Sequence, residues 1–262
     1  MKIHRIKALV RRHIIAWPRN LEQITDIFWW PILEIVLWGF FTLYLAAAAP
    51  STAHAVTFLL GAVIFWAVIS MNQFQTSMTF MREAWDRNLL NLFSSPLSIW
   101  EFLVGGLTVA VLKFILGISA MIILSFFLYH FNIFKLGWYL IPFFASLTLM
   151  GWTASLFITA LIVRYGWKVQ SFAWTILSIV QPFSAVYYPS SILPEWAQKV
   201  GLLIPSTYVF EGMREIISKG TMNTNFLIVS FTLNFLYLIL ALLFYRKMFK
   251  IAFEKGLLIK FA

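Results

Sequence analysis

The chain has 262 residues, 61% of them hydrophobic and 11% charged, with 20 Lys and Arg against 10 Asp and Glu. A water-soluble domain carries about 25% charged residues to cover its surface, so this composition excludes a soluble globular protein and implies a membrane protein. The absence of cysteine excludes disulfides and thiolate metal sites.

The first segment, 1–20, reads MKIHRIKALVRRHIIAWPRN. Charges interrupt its apolar residues at every turn, unlike a cleavable signal, so it is expected in the mature protein. Ile3, Ile6, Val10, Ile14 and Trp17 recur at three- and four-residue intervals, while Lys2, Arg5, Arg12 and Arg19 occupy other angles. This pattern predicts an interfacial amphipathic helix lying in the headgroup plane and ended by Pro18. It serves either as a topology anchor or in gating and substrate access.

Six apolar runs follow, at 24–48, 55–81, 102–130, 137–163, 169–187 and 226–246. Each approaches or exceeds the roughly 20 residues that cross a bilayer, so the expected fold is all-α: a polytopic membrane protein with six transmembrane helices. If the amino end is cytoplasmic, only Lys135, Lys199, Arg214 and Lys219 fall in outer segments, and the other loop cations lie inside. That bias places both termini in the cytoplasm, and it explains the net charge of +10 without a nucleic-acid partner. With no repeat or linker, 1–262 reads as a single membrane domain.

Two connections are too distinctive to be plain loops. In 82–96, REAWDRNLLNLFSSP, Glu83 and Arg87 are spaced i,i+4 as on a helix, and Leu89, Leu90, Leu92 and Phe93 form an apolar patch beside water. Such a patch marks a partner surface or packs back onto the bundle. In 188–217, Pro189, Pro194 and Pro205 break the chain into short pieces. Pro194 is placed to open a helix from Glu195 to Leu203, and Ser206 to cap the next. On that second piece Val209, Phe210, Met213, Ile216 and Ile217 share one face; Glu211, Arg214, Glu215 and Ser218 share the other. Two short helices before the last span fit a re-entrant hairpin, with Glu211 and Arg214 paired to each other or to neighbours.

The sequence resembles the permease subunits of type-2 ABC exporters. The resemblance is carried by Pro182, Phe183, Ser184, Tyr188, Pro189, Leu193, Pro194 and Trp196, then by Pro205, Thr207, Glu211 and Arg214 before the last span. It implies an inner-membrane exporter of a glycan, a lipid-linked molecule or a drug-like amphiphile. Two copies of the chain would form the path, each resting on an ABC ATPase subunit that binds ATP and Mg. The cytoplasmic loop 82–100 would hold the ATPase-coupling residues Glu83, Trp85, Arg87, Leu89, Leu90 and Phe93. The hairpin 188–217, with Pro189, Pro194, Pro205, Glu211 and Arg214, would close the outer end. The dipeptide Gly-Lys never occurs, so the chain has no phosphate-binding loop of the usual type, and the motor is expected on the partner.

Glu34 and Lys113 lie inside predicted spans, where charge is costly and often functional. Lys113 is expected to snorkel to the headgroups, and Glu34 to pair with it or to line the path. Trp29, Trp30, Trp38, Trp66, Trp152 and Trp174 inside the spans either stack on sugar rings or pack ordinarily; Gly151 with Ser155 suggests a close helix contact. His4, His13, His54 and His130 are scattered, so neither a metal site nor a catalytic set is expected, and no cofactor on this chain. Two other classes remain: a membrane-embedded lipid or glycan transferase using Glu195, Glu211, Arg214 and Glu215, or a proton-driven transporter working through Glu34.

Overall fold

The computed structural model describes residues 1–48 and 53–257, with the backbone alone for 53–57 and Leu90. The side chains of His54 and Leu90 therefore lie outside the described residues. All regular elements among the described residues are helical, which is what a lipid-embedded chain requires when water is not there to take up backbone polar groups.

Five helices are long and apolar enough to cross a membrane: α2 (Leu21–Ala48), α3 (Ala53–Trp85), α5 (Ile99–Tyr129), α6 (Leu140–Tyr165) and α10 (Asn225–Glu254). The short helices are α1 (Ile3–Ala16), α4 (Leu89–Ser94), α7 (Phe172–Val180), α8 (Glu195–Gly201) and α9 (Pro205–Lys219). The fifth apolar run, 169–187, departs from expectation. Its helix α7 has 9 residues, about 14 Å at the helical rise, against a hydrocarbon layer of about 30 Å. The run is cut at both ends: Gly166 takes φ 76° after α6, and Pro182 sits in the 3-10 turn Gln181–Phe183 that follows α7.

Helix α3 is the hub. In its most apolar stretch 89% of residues are buried, against 22% for α2 and 17% for α10, so α2 and α10 turn most of their surface outward. Two apolar clusters hold the bundle. One, around Phe65, Phe143, Phe210 and Met213, lies at the end that carries α8 and α9. The other, around Leu9, Phe80, Leu89, Phe102 and Phe249, lies at the end that carries α1 and α4. Between them α3 runs through the polar stretch Asn72, Gln73, Gln75, Thr76 and Ser77, all buried. Their bonds stitch the hub to its neighbours: Gln73 Nε2 donates to Ala173 O at 3.1 Å, and Ser77 Oγ to Ser155 Oγ at 3.2 Å. Gly151 lets α6 approach the α3 backbone, because a Cβ there would meet Ile69 O at 2.7 Å; the Gly151 and Ser155 stripe lies in the α3–α6 contact.

Helix α1 forms, but it packs lengthwise against α5. Lys2 N–H donates to Glu101 Oε1 at 2.6 Å, a Cβ on Gly105 would meet Leu9 Cδ2 at 2.5 Å, and Trp17 lies 5.6 Å from Lys113 Nζ. The two helices thus run side by side in the same direction. The inward face is Ile6, Leu9, Val10, His13 and Trp17, whereas Ile3 and Ile14 are exposed. The apolar spacing alone misses this rotation, which long-range ion pairs set.

Candidate functional site

The elbow between α3 and α5 is the first of three places where function-bearing residues converge. Helix α3 ends at Trp85, and Arg87 follows with φ 54°, a left-handed turn that reverses the chain into α4. The expected Glu83–Arg87 helical pair therefore does not form. Glu83, 4% exposed, instead accepts from Arg12 of α1 and from Asn88 Nδ2 at 2.7 Å. On the far side, Ser98 and Glu101 make a reciprocal capping box that starts α5. Glu101 also faces Arg5 at 3.5 Å, and Arg5 donates to Pro96 O. Helix α1 thus grips both ends of the elbow, through Glu83 before α4 and Glu101 after it.

The apolar patch of the elbow faces inward. Leu89 is fully buried, and the Phe93 ring packs on Phe102, Phe249 and Phe253 at centroid distances of 5.6, 6.1 and 5.2 Å. Of the two readings left open for the patch, Leu89 and Phe93 follow packing back onto the bundle: in a turn of six residues, burying one face against α5 and α10 removes apolar area from water at no cost in backbone hydrogen bonds. The outward surface is instead Trp85, Asp86, Arg87, Asn91 and Ser94, with Trp85 stacked on Trp167 at 6.3 Å. His13 of α1 lies 3.3 Å from Glu83. Burial, with Arg12, Lys113 and Arg82 nearby, pushes the imidazole down to about 4, so it is neutral and adds no ion pair.

The second place is the α8–α9 hairpin. Pro194 is the N-cap of α8, as expected, but α9 opens two positions early, with Pro205 at its first position and Ile204 as N-cap. Ser206 is therefore inside the helix rather than its cap: proline supplies a preset φ and has no N–H to leave orphaned. Val209, Phe210, Met213 and Ile216 are buried, and Arg214 Nη1 meets Glu211 Oε1 at 3.2 Å. Both charges also clasp the irregular approach to the hairpin, 185–190. Glu211 accepts Ser190 N–H at 2.6 Å; Arg214 donates to Ala185 O and to Val186 O at 3.3 Å, and its guanidinium lies 4.2 Å above the Phe58 ring. Ala185 has φ 53°, an unfavourable conformation for a residue with a Cβ that this clasp holds. Pro189 caps a 3-10 turn beside the clasp.

The tip of the hairpin reaches far along α10. Ser230 Oγ donates to Pro205 O at 2.8 Å and shares a 2.7 Å bond with Ser146 of α6, while Tyr237 O–H donates to Leu203 O at 2.8 Å. Tyr237 lies about 18 Å along the helix from Asn225. Asn234 Nδ2 completes the network on Ser146 O at 3.0 Å. Sequence reasoning missed Ser146, Ser230 and Asn234, since one polar residue per apolar helix has no local pattern.

The third place is a groove of about 550 Å³ between α2, α3 and α7. Glu34 lines it at the midpoint of α2, with Trp30, Trp66 and Trp174 on its walls. Glu34 and Lys113 are not brought together: Lys113, 2% exposed, donates to Gln23 Oε1 at 2.8 Å and lies against the Trp17 ring, so it is locked inside the bundle instead of snorkelling. The signal that sequence reasoning passed over is the run SMNQFQTSMT, 70–79, whose density of amides and hydroxyls inside an apolar segment marks the wall of this groove.

No curated protein matches the chain. A family match, ABC-2 type transporter, covers residues 4–218, from α1 through most of α9 and therefore all three places. The chain accordingly belongs to the ABC-2 type transporter family, as a multi-pass membrane permease of an ABC-type exporter.

Proposed function

We propose that two copies of this chain form the transport path of an ATP-driven exporter in a bacterial-type inner membrane, each copy resting on a separate ABC ATPase subunit. In this reading ATP and Mg act on the partner, and this chain does no covalent chemistry. The observation that carries it is the built elbow. Within a family of ABC permeases, a short helix at one end of the bundle is fixed from both sides by α1, and the elbow around it presents Trp85, Arg87 and Asn91 outward. A push there moves α3 and α5 together.

Six crossings follow if α7 and the turn after it serve as the fifth, with the wall of α3, α6 and α9 completing the passage that α7 is too short to make. The α8–α9 hairpin is then re-entrant from the outer face, which its bonds along α10 to Tyr237 support. Both termini are cytoplasmic, and α1 meets the inner headgroups with Ile14, Ile15, Lys7 and Arg11, all exposed. The transferase alternative is disfavoured because Glu211 and Arg214 are already spent on backbone groups of 185–190.

The test is reconstitution of the chain with its ATPase in proteoliposomes. Solute movement should require ATP, and Arg87→Glu should sever ATP hydrolysis from movement while the amount of folded subunit stays constant. Movement without an ATPase would overturn the reading.

A further inference from the structure

Every carboxylate on the five long helices has a cation within reach except one. Glu22 and Asp26 face Arg82, Glu83 faces Arg12, Glu101 faces Arg5 and Glu254 faces Lys250. Glu34 alone among them has no ion pair and no hydrogen bond within the described residues, although it sits at the midpoint of α2, where an unpaired charge is costliest. Beside it in the groove, Gln75 is fully buried, and its Oε1 has no hydrogen-bond partner. The amide donors on that wall are already used: Gln75 Nε2 reaches Asp26 O at 3.5 Å, and Gln73 Nε2 serves Ser77 and Ala173 O. Among its carboxylate and amide groups the wall leaves two acceptors open, the Glu34 carboxylate and Gln75 Oε1. Facing them are indoles that keep more than half their surface open, Trp30 and Trp174 being 60% and 54% exposed, with Trp174 also against the Phe74 ring at 4.9 Å, and an aromatic face attracts a cation through its quadrupole. The volume suits a small ligand.

We propose that this groove binds a protonated amine carried on an apolar body, with Glu34 as its counter-charge, Gln75 Oε1 accepting an N–H, and Trp30, Trp66 and Trp174 enclosing the apolar part. This rests on the exporter reading, with the path lined by Glu34, and names the class of cargo held there. A sugar also stacks on indoles, but it would leave the Glu34 carboxylate without a counter-charge at the midpoint of α2.

The test is equilibrium binding to the purified full chain in nanodiscs, with empty nanodiscs subtracted, using tritiated 1-naphthylmethylamine, its uncharged analogue 1-naphthylmethanol, and maltotriose. The amine should bind about tenfold tighter than the alcohol, the scale of one desolvated charge contact. Glu34→Gln should bring the two to parity without weakening the alcohol, Glu34→Asp should keep most of the preference, and Trp174→Ala should weaken both. Equal binding of amine and alcohol by the native chain, a preference that survives Glu34→Gln, or tighter binding of maltotriose would each overturn the inference. Binding needs no ATPase, so failure of ATP-driven movement in proteoliposomes would strike the exporter reading and leave this result standing.

Discussion

The two ends of the bundle hold their charges in different ways. At the hairpin end the pair is local: Glu211 and Arg214 sit three positions apart on one helix and together clasp the chain at 185–190. At the elbow the pairs are long-range, with Arg12 reaching Glu83 across 71 positions and Arg5 reaching Glu101 at 3.5 Å from the far side of the turn. A local pair is readable whenever the helix that carries it is continuous. Glu83 and Arg87 show the condition failing: their spacing is right, but the helix stops between them.

The contrast can be broken at its strongest point first. Leu89→Ala at the elbow should destabilise the chain by about 3 kcal/mol, as truncation of a fully buried leucine does, seen as a lower thermal midpoint in detergent. Arg87→Glu, on the outward side of the same turn, should leave that midpoint unchanged. At the hairpin, Arg214→Met should cost about 2–3 kcal/mol, because it strands a half-buried carboxylate and frees two carbonyls; limited proteolysis should then cut within 184–190. Glu83→Gln should cost less, about 1 kcal/mol, since Arg12 is half exposed and partly screened. Its signature is faster hydrogen exchange across α1 with none gained at the hairpin.

The smallest effect is a pH dependence confined to the elbow. The docked His13 titrates near 4 against an ordinary 6.5, so between those values the released helix binds more protons than the docked one. Docking of α1 is complete above about pH 6.5 and weakens as pH falls toward 4. Hydrogen exchange in α1 should rise over that window in the native chain and stay level in His13→Asn.

The helical class, five of the long helices, the hairpin's apolar face and the Glu211–Arg214 pair were legible because each rests on spacing within one segment. The proline at 194 marked a helix start correctly, and the family resemblance carried by 182–214 agrees with the match over 4–218. What spacing does not contain is the partner of a distant side chain. The rotation of α1 depends on Glu83 and Glu101; the inward turn of Leu89 and Phe93 depends on α10; and Lys113 is taken by Gln23 rather than by Glu34. The fifth run was read as a full span because its composition is apolar throughout, while its length as a helix is fixed by Gly166 and Pro182 at its edges.

The central claim is that an ATPase presses on the elbow from the cytoplasmic side. The chain has no cysteine, so Asn91→Cys, on the exposed side of α4, gives a single attachment point for a crosslinker in vesicles of known sidedness. The account predicts that this position crosslinks to the ATPase subunit and is labelled by impermeant reagents only from the cytoplasmic face. Labelling from the outer face, or active export by a complex in which Asn91→Cys never captures the ATPase, would contradict it.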